Sequence, residues 1–188
     1  MRTLENKNLN KANFPDSLPS DDASISLDRL THDDSEEFFA KVHDNAEHLA
    51  RGGLYHHLRY RTIEDLHAAI DLPGQDVYAI RFNNDEIIGD VRLADSNAGA
   101  PEKEASIWVA EDMTGKGIAG TALRAVVQQA DQRAIKLSAN IQAGNTASRT
   151  SFENQGFVKT HTIPAFSALT KAQNVLKRSP SSSIKREL

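Results

Sequence analysis

The residues with the clearest chemical pattern are three glycines in the spacing Gly115-x-Gly117-x-x-Gly120, at the junction of a predicted strand and a predicted helix. The unpaired N–H groups of a first helical turn point outward, and the helix dipole favours negative charge there. Glycine has no side chain that would hold an anion away from those N–H groups. The pattern therefore predicts a binding site for a phosphate ester or a pyrophosphate.

Two elements must position this turn. Before it, Ile107-Trp108-Val109 is aromatic and β-branched and runs into Ala110, which predicts a strand. After it, apolar residues recur at steps of three and four and predict an amphipathic helix. These residues are Ala119, Ala122, Leu123, Val126, Val127 and Ala130.

The glycines alone leave two other interpretations open. They match the dinucleotide-binding fingerprint, which also needs an acidic residue about twenty residues further on. Here the next predicted strand ends in Ile141-Gln142-Ala143-Gly144, without a carboxylate, which disfavours that interpretation. A tight structural turn without any ligand is the second alternative.

A family resemblance points the same way as the phosphate-binding turn. The stretch from Ile107 to Ile118 resembles motif A of the GNAT acyl-CoA N-acyltransferases, especially the Rim-type branch that acetylates protein N-termini and small amines. Downstream, Asn145-x-x-Ser148 followed by Phe152-Glu153-Asn154-Gln155-Gly156-Phe157 resembles motif B. The resemblance covers residues 24–170, and it departs from the family at Thr114, where Gln or Arg is usual.

The resemblance implies acetyl-CoA as the co-substrate. The pantetheine arm would pair with backbone at Val109 and Ala110, and the pyrophosphate would meet the glycine turn. Asn145 would cap its helix and also bond the cofactor arm. The expected cofactor-binding residues are Val109, Ala110, Thr114, Gly115, Lys116, Gly117, Ile118, Ala119 and Asn145.

Acyl transfer to an amine needs a group that takes the amine proton, a donor for the developing oxyanion, and a proton for the leaving thiolate. By position, Glu104 resembles the glutamate that acts on the amine in Rim-type enzymes; a solvated carboxylate at the strand end is the alternative. Ser148 resembles the serine that protonates the thiolate; an ordinary first-turn serine is the alternative. The chain contains no cysteine, so we expect direct attack in a ternary complex.

The expected acceptor wall is the aromatic and basic stretch from Tyr55 to Arg61, between the first two predicted helices. The expected substrate-binding residues are Trp108, Tyr55, His56 and Arg59. The acceptor expected from the resemblance is a protein or peptide N-terminal α-amine. A small amine (antibiotic, polyamine or amino acid), an aminoacyl-tRNA, and a non-catalytic acyl-CoA-binding module remain alternatives.

Five histidines, at positions 43, 48, 56, 57 and 67, raise the question of a metal. His43 and Glu47 share a helix face, but no HExxH pattern or third fixed ligand accompanies them. We therefore expect no metal.

Composition is that of a cytoplasmic single-domain protein. The 188 residues carry a net charge of −4, which gives no general attraction to nucleic acid. No apolar run reaches the length of a membrane span, and the N-terminus lacks the apolar core of a signal peptide. A homodimer remains open.

The predicted element order is β-α-α-β-β-β-α-β-α-β-β, a mixed α/β arrangement. The resemblance implies the GNAT fold, a mostly antiparallel sheet of about seven strands, splayed between the fourth and fifth, with about four helices. Residues 1–23 are predicted to be a flexible arm, 24–170 the acetyltransferase domain, and 171–188 a disordered basic tail. The last strand pair is predicted at 157–163 and 165–169, on either side of Pro164.

Overall fold

The computed structural model describes residues 14–83, 85–96, 101–165 and 172–181. One eight-stranded sheet runs through this part of the chain, in the order β1-β2-β3-β4-β5-β6-β8-β7. The strands are β1 (Ser17–Leu18), β2 (Ile25–Arg29), β3 (Gln75–Phe82), β4 (Glu86–Asp95), β5 (Glu102–Val109), β6 (Lys136–Gln142), β7 (Val158–Ile163) and β8 (Gln173–Arg178). Neighbouring strands are antiparallel except for β5 and β6, which are parallel.

Six helices cover the two faces of this sheet. They are α1 (Ser35–Asp44), α2 (Ala46–Gly52), α3 (His56–Arg59), α4 (Ile63–Ile70), α5 (Ile118–Gln132) and α6 (Thr146–Glu153), with 3-10 turns at His32–Asp34 and Glu111–Met113. The predicted mixed α/β fold is confirmed, with eight strands and six helices in the described residues instead of about seven and four.

The first predicted helix is divided at Asn45, which has φ −103° and ψ 15°. Its side-chain Nδ2 donates to the Lys41 carbonyl at 2.9 Å, and its Oδ1 accepts from the Glu111 N–H at 2.9 Å. An asparagine side chain that hydrogen-bonds to nearby backbone groups competes with the hydrogen bonds that would continue the helix. The result is two helices, and the second of them, α2, is turned toward the end of β5.

The sheet is split between β5 and β6, as predicted. Their pairing covers Glu102–Glu104 opposite Lys136–Ser138, and both strands continue beyond it without pairing to each other. Two apolar clusters lie on opposite faces of the sheet. Val109 belongs to the cluster under α5, and Trp108 belongs to the cluster under α1 and α4. The predicted apolar face of α5 is buried at Ala122, Leu123, Val126, Val127 and Ala130.

The predicted tail is wrong over residues 173–178. This segment is β8, which is inserted between β6 and β7 and buries Val175 and Leu176. Its apolar signal is only two residues long, preceded by polar Gln173-Asn174 and followed by charged Lys177-Arg178, so the strand becomes evident only from its pairing on both edges. Ala165 lies outside any strand, and positions 166–169 of the predicted strand lie outside the described residues.

The predicted N-terminal arm is also wrong where the chain is described. Phe14 and Leu18 are buried, and β1 pairs with β2. Arg29 fixes the segment by donating to the Asp16 carboxylate and to the Phe14 carbonyl, both at 2.9 Å. Residues 1–13 and 182–188 of the two predicted termini lie outside the described residues. Among the described helices, none has the length and apolar character needed to span a membrane.

Candidate active site

The glycine turn has the geometry of an open anion cradle. Gly115 and Gly117 have φ values of 74° and 80°, a region that favours glycine. Gly117 is the N-cap of α5 and supplies no side-chain acceptor, so the N–H groups of Ile118, Ala119 and Gly120 have no partner within the helix. A Cβ built on any of the three glycines would meet nothing within 4 Å. The space beside the cradle is therefore open to a ligand.

A cavity of about 670 Å³ extends from this turn into the split of the sheet. Its walls are the end of β5, the C-terminal half of α2, the glycine turn and the first two turns of α6. The described residues that line it are His48, Leu49, Arg51, Gly52, Leu54, Ile107, Trp108, Val109, Met113, Thr114, Gly115, Gly117, Ile118, Ala119, Gly120, Gly144, Asn145, Thr146, Ala147, Ser148 and Ser151. Residues from three distant segments of the chain, 48–54, 107–120 and 144–151, thus share one cavity.

The peptide of Val109 faces the split. The Ala110 N–H donates to the Ile88 carbonyl of β4 at 2.7 Å. Since successive residues of an extended strand direct their backbone groups to opposite sides, the Val109 N–H and C=O face away from β4. The Val109 carbonyl oxygen lies 3.2 Å from Nε2 of His48. A backbone donor is thereby available to a ligand that enters between β5 and β6.

Asn145 connects two walls of the cavity. Its Oδ1 accepts from the Ser148 N–H at 3.0 Å, which is the helix cap expected at the start of α6. Its Nδ2 donates to the Gly52 carbonyl at the end of α2, at 3.2 Å. Both ends of this amide are bonded to protein, so Asn145 fixes α6 against α2.

Ser148 lies in the first turn of α6, half-buried in the cavity wall. In the part of the chain that is described, its hydroxyl makes no hydrogen bond, while its backbone N–H is bonded to Asn145. Ser151, one turn further on, donates its hydroxyl to the Ala147 carbonyl at 3.1 Å. Of these two serines in the cavity wall, Ser148 has the hydroxyl free for a ligand.

The other expected cofactor residues divide into two groups. Thr114 lines the cavity, but its hydroxyl donates to the Glu111 carbonyl at 2.7 Å and so serves the turn itself. Lys116 and Ala110 are not among the lining residues. Lys116 is exposed, with Nζ 3.1 Å from the Met113 sulfur, and Ala110 is buried behind the turn.

Glu104 lies away from the cavity. It is in the part of β5 that still pairs with β6, opposite Ser138. Five residues of strand separate it from Val109, which is about 17 Å along the chain. The structure therefore does not bring Glu104 together with the cradle and Ser148.

Of the four expected acceptor residues, Trp108 lines the cavity and the other three do not. His56 is buried and its ring stacks on Tyr60 at 5.7 Å; burial lowers the pKa of His56. The Arg59 guanidinium lies over the Tyr60 ring, 5.6 Å from its centroid. Tyr55 is exposed at the start of α3.

Two ionisable side chains in the cavity wall were not predicted as site residues. His48 and Arg51 extend from α2, and Arg51 is ion-paired with Glu111 in the 3-10 turn after β5. His48 was one of five histidines without a motif, and nothing in its local sequence separates it from the others. Within the described residues, no group of three His, Asp or Glu side chains is placed to hold a metal ion.

A split sheet with an unpaired peptide, a glycine cradle at a helix N-terminus, and a serine hydroxyl without a partner in the described residues are the features expected of an acyl-CoA site. The sequence profile of the acetyltransferase (GNAT) domain matches residues 25–158. The chain belongs to the GNAT acetyltransferase family. A comparison with curated protein sequences gives no match.

Solved structures share this fold at low sequence identity. The RimL ribosomal L7/L12 α-N-protein acetyltransferase in complex with coenzyme A is similar with a TM-score of 0.78 and 16% identity, over 87% of this chain and 98% of that chain. The microcin C7 self-immunity acetyltransferase MccE, with acetyl-CoA and AMP, gives a TM-score of 0.71 and 15% identity over 84% and 93% of the two chains. A dodecameric spermidine N-acetyltransferase from Vibrio cholerae gives a TM-score of 0.69 and 15% identity over 89% and 100%.

The expected family and fold are confirmed, and the protein is an acetyl-CoA-dependent N-acetyltransferase. The residues of this chain fit acetyl-CoA. The cradle has room and free N–H groups for a pyrophosphate, and the split offers the Val109 peptide to the amide-bearing arm.

Proposed function

We propose that this protein acetylates the N-terminal α-amine of a protein or peptide. The observation that carries the proposal is the charge of the cavity. Among the described lining residues, there is no aspartate or glutamate. A polyamine carries several ammonium groups at neutral pH and needs carboxylates to bind it. An N-terminal amine has a pKa near 8 and is partly neutral, so it can enter a cavity without carboxylates.

Exposed apolar side chains beside the cavity support a peptide acceptor. Leu54 is part of the cavity wall, and the chain continues from it into α3, where Tyr55 and Leu58 are 47% and 62% exposed. Such side chains would contact the residues that follow an acceptor's first residue. RimL, which shares the fold, is an α-N-protein acetyltransferase.

The proposed roles of the cavity residues follow from their positions. Acetyl-CoA supplies an activated acetyl thioester. The N–H groups of the cradle hold the pyrophosphate, and the Val109 N–H donates to the thioester carbonyl oxygen, where negative charge develops. The Ser148 hydroxyl donates to the departing sulfur. The amine attacks directly while both substrates are bound, because no cysteine is present to accept the acetyl group.

A panel of amines tests the acceptor. Peptides with a free N-terminus, the same peptides with a blocked N-terminus and one lysine, and spermidine are incubated with acetyl-CoA, and thiol release and product mass are followed. We expect acetylation at the free N-terminus and much slower reaction of the blocked peptides and of spermidine. Preference for spermidine would refute the proposed acceptor. Binding of acetyl-CoA without turnover of any amine would indicate a non-catalytic acyl-CoA-binding module instead.

A further inference from the structure

We infer that His48 is the general base of this enzyme, the group that takes the proton from the acceptor amine. The inference deepens the proposed function and rests on it only in requiring an amine acceptor. It replaces Glu104 in the role expected from the family resemblance.

The His48 ring lies at the place where the acetyl group must react. Its side chain is 26% exposed and forms part of the cavity wall. Nε2 is 3.2 Å from the carbonyl oxygen of Val109, whose peptide faces the split. The N–H of the same residue, Val109, is the proposed donor to the thioester oxygen. The ring therefore lies beside the residue that is proposed to hold the thioester, and we expect its free nitrogen to meet an attacking amine directly or through one water.

The contact with Val109 also fixes the tautomer of the ring. A carbonyl oxygen can only accept a hydrogen bond, so Nε2 carries the proton in neutral His48. The lone pair is then on Nδ1. Imidazole is the side chain that exchanges protons near neutral pH, and a neutral ring with one free nitrogen is ready to accept a proton.

Two charged groups face the ring. Nδ1 is 4.0 Å from Oε1 of Glu111, which comes from the 3-10 turn after β5. Arg51, one turn along α2 from His48, is ion-paired with the same carboxylate. Glu111 is therefore placed to stabilise the imidazolium that forms when Nδ1 takes a proton.

No competing base is present in the described cavity wall. His48 and Arg51 alone carry ionisable side chains there, and a guanidinium cannot act as a base. Glu104 is about 17 Å along β5 from Val109. Ser148 also lines the cavity, on α6, and its proposed role is to donate to the sulfur.

The proton balance closes with the groups named. The acceptor ammonium gives one proton to Nδ1 of His48. The amine nitrogen then forms a bond to the thioester carbon, and the carbon–sulfur bond breaks with its electron pair leaving on sulfur. The second proton of the nitrogen passes to that sulfur, through the Ser148 hydroxyl. The products are the acetylated amine and free CoA thiol, and the imidazolium returns its proton to water.

The test is the pH dependence of turnover in His48→Gln. The glutamine amide can still donate to the Val109 carbonyl, so the contact is kept while the base is lost. We expect kcat about 100-fold lower at pH 7. The deficit should narrow as pH rises and the amine loses its proton unaided. Acetyl-CoA affinity, measured by calorimetry, should be unchanged. Glu104→Gln should turn over like the wild-type protein.

His161→Gln is the matched control, because His161 is exposed on β7, outside the cavity wall. It should have the wild-type pH profile. If His48→Gln does not fold, His48→Ala is used with added imidazole, which should restore turnover. Normal turnover of the His48 variant at pH 6.5, a deficit that is constant across pH, or loss of activity in Glu104→Gln would overturn the inference.

The measurement uses whichever amine the wild-type protein acetylates. If that amine is spermidine, the proposed acceptor is wrong, and the role of His48 is still decided by the variant's pH profile. If that amine is a peptide N-terminus, a wild-type pH profile of turnover in His48→Gln refutes only the role of His48 as the base. The two proposals therefore fail separately.

Discussion

The two halves of the sheet that meet at the split are built differently. From β1 to β5, spatial neighbours follow one another in the chain and pair antiparallel. From β6 onward the order is β6-β8-β7, so the last described strand separates two earlier ones. A strand that pairs with its neighbour in the chain can be predicted from the turn that joins the two. A strand inserted between two others has no such local signal, because its position depends on pairing at both edges.

The halves also contribute different parts of the site. The first half supplies the Val109 peptide and, from α2, the His48 ring. The second half supplies the Ser148 hydroxyl and the Asn145 cap, through α6. α5 is attached to both sides: Arg124 pairs with Asp21 ahead of β2, and Asp131 pairs with Arg178 of β8. If Ser148 acts as proposed, we expect catalysis to require that β8 hold the second half in place.

The strongest test of this dependence is removal of β8. A chain that ends at residue 171 loses the buried Val175 and Leu176 and leaves β6 and β7 without their common partner. We expect loss of cooperative thermal unfolding, because burial of each such side chain is worth about 1.5–3 kcal/mol and strand pairing is lost as well. A chain that ends at residue 181 is the control and should unfold cooperatively. Cooperative unfolding of the shorter chain near the wild-type temperature would contradict this account.

Gly117→Asp tests the cradle between the halves. The substitution adds a carboxylate beside the N–H groups proposed to bind the pyrophosphate. We expect acetyl-CoA affinity to fall by about 100-fold or more, measured by calorimetry and by the ligand-induced rise in melting temperature. Gly117→Asn has the same backbone cost at φ 80° without the charge and should keep more of the affinity. Equal acetyl-CoA affinity of both variants and the wild-type protein would show that the pyrophosphate does not bind at this turn.

Ser148→Ala isolates the contribution of α6 to the chemistry. We expect kcat to fall by about 10-fold, because the sulfur loses a proton donor and other donors can partly replace it. The deficit should not narrow with rising pH, in contrast to that of His48→Gln. Thr150→Ala, an exposed position of the same helix outside the cavity wall, is the control. If the loss of kcat in Ser148→Ala disappeared at high pH, Ser148 would act on the acceptor amine and not on the leaving sulfur.

The smallest effect is expected for the ion pair that holds β8 against α5. Arg178 donates to both oxygens of Asp131, at 2.6 and 2.8 Å. Asp131→Asn should lower the free energy of unfolding by about 1–2 kcal/mol in urea denaturation at pH 7. Asp21→Asn removes the more exposed pair of α5 and should cost less than about 0.5 kcal/mol. Equal losses of unfolding free energy in Asp131→Asn and Asp21→Asn would mean that the two ion pairs of α5 contribute equally to stability.

The pH dependence of this pair has a definite sign. Hydrogen bonds from Arg178 hold the pKa of Asp131 below its usual range. A carboxyl with a lowered pKa in the folded state contributes stability above its unfolded pKa, which is near 3.9, and loses it as the pH falls through the folded value. The difference between wild-type protein and Asp131→Asn should therefore be complete above about pH 5 and shrink below pH 4.

The cradle could be predicted because its causes are local. Two glycines with positive φ, the following helix and the preceding strand are contiguous in sequence, and backbone N–H groups make the site. The Asn145 cap was predicted for the same reason, since capping acts within three residues. The split between β5 and β6 followed from the family resemblance that these motifs carry.

Long-range contacts decided the rest. His48 and Val109 are 61 positions apart in the chain, and the break at Asn45 that turns α2 toward β5 depends on a bond to Glu111. β8 takes its position from the strands that pair with both of its edges, although its sequence is short and mostly polar. Local propensity and spacing carry no information about which distant element will pack alongside. The sequence by itself therefore determined the glycine turn and the family, and the tertiary structure alone brought His48 into the cavity wall beside Val109.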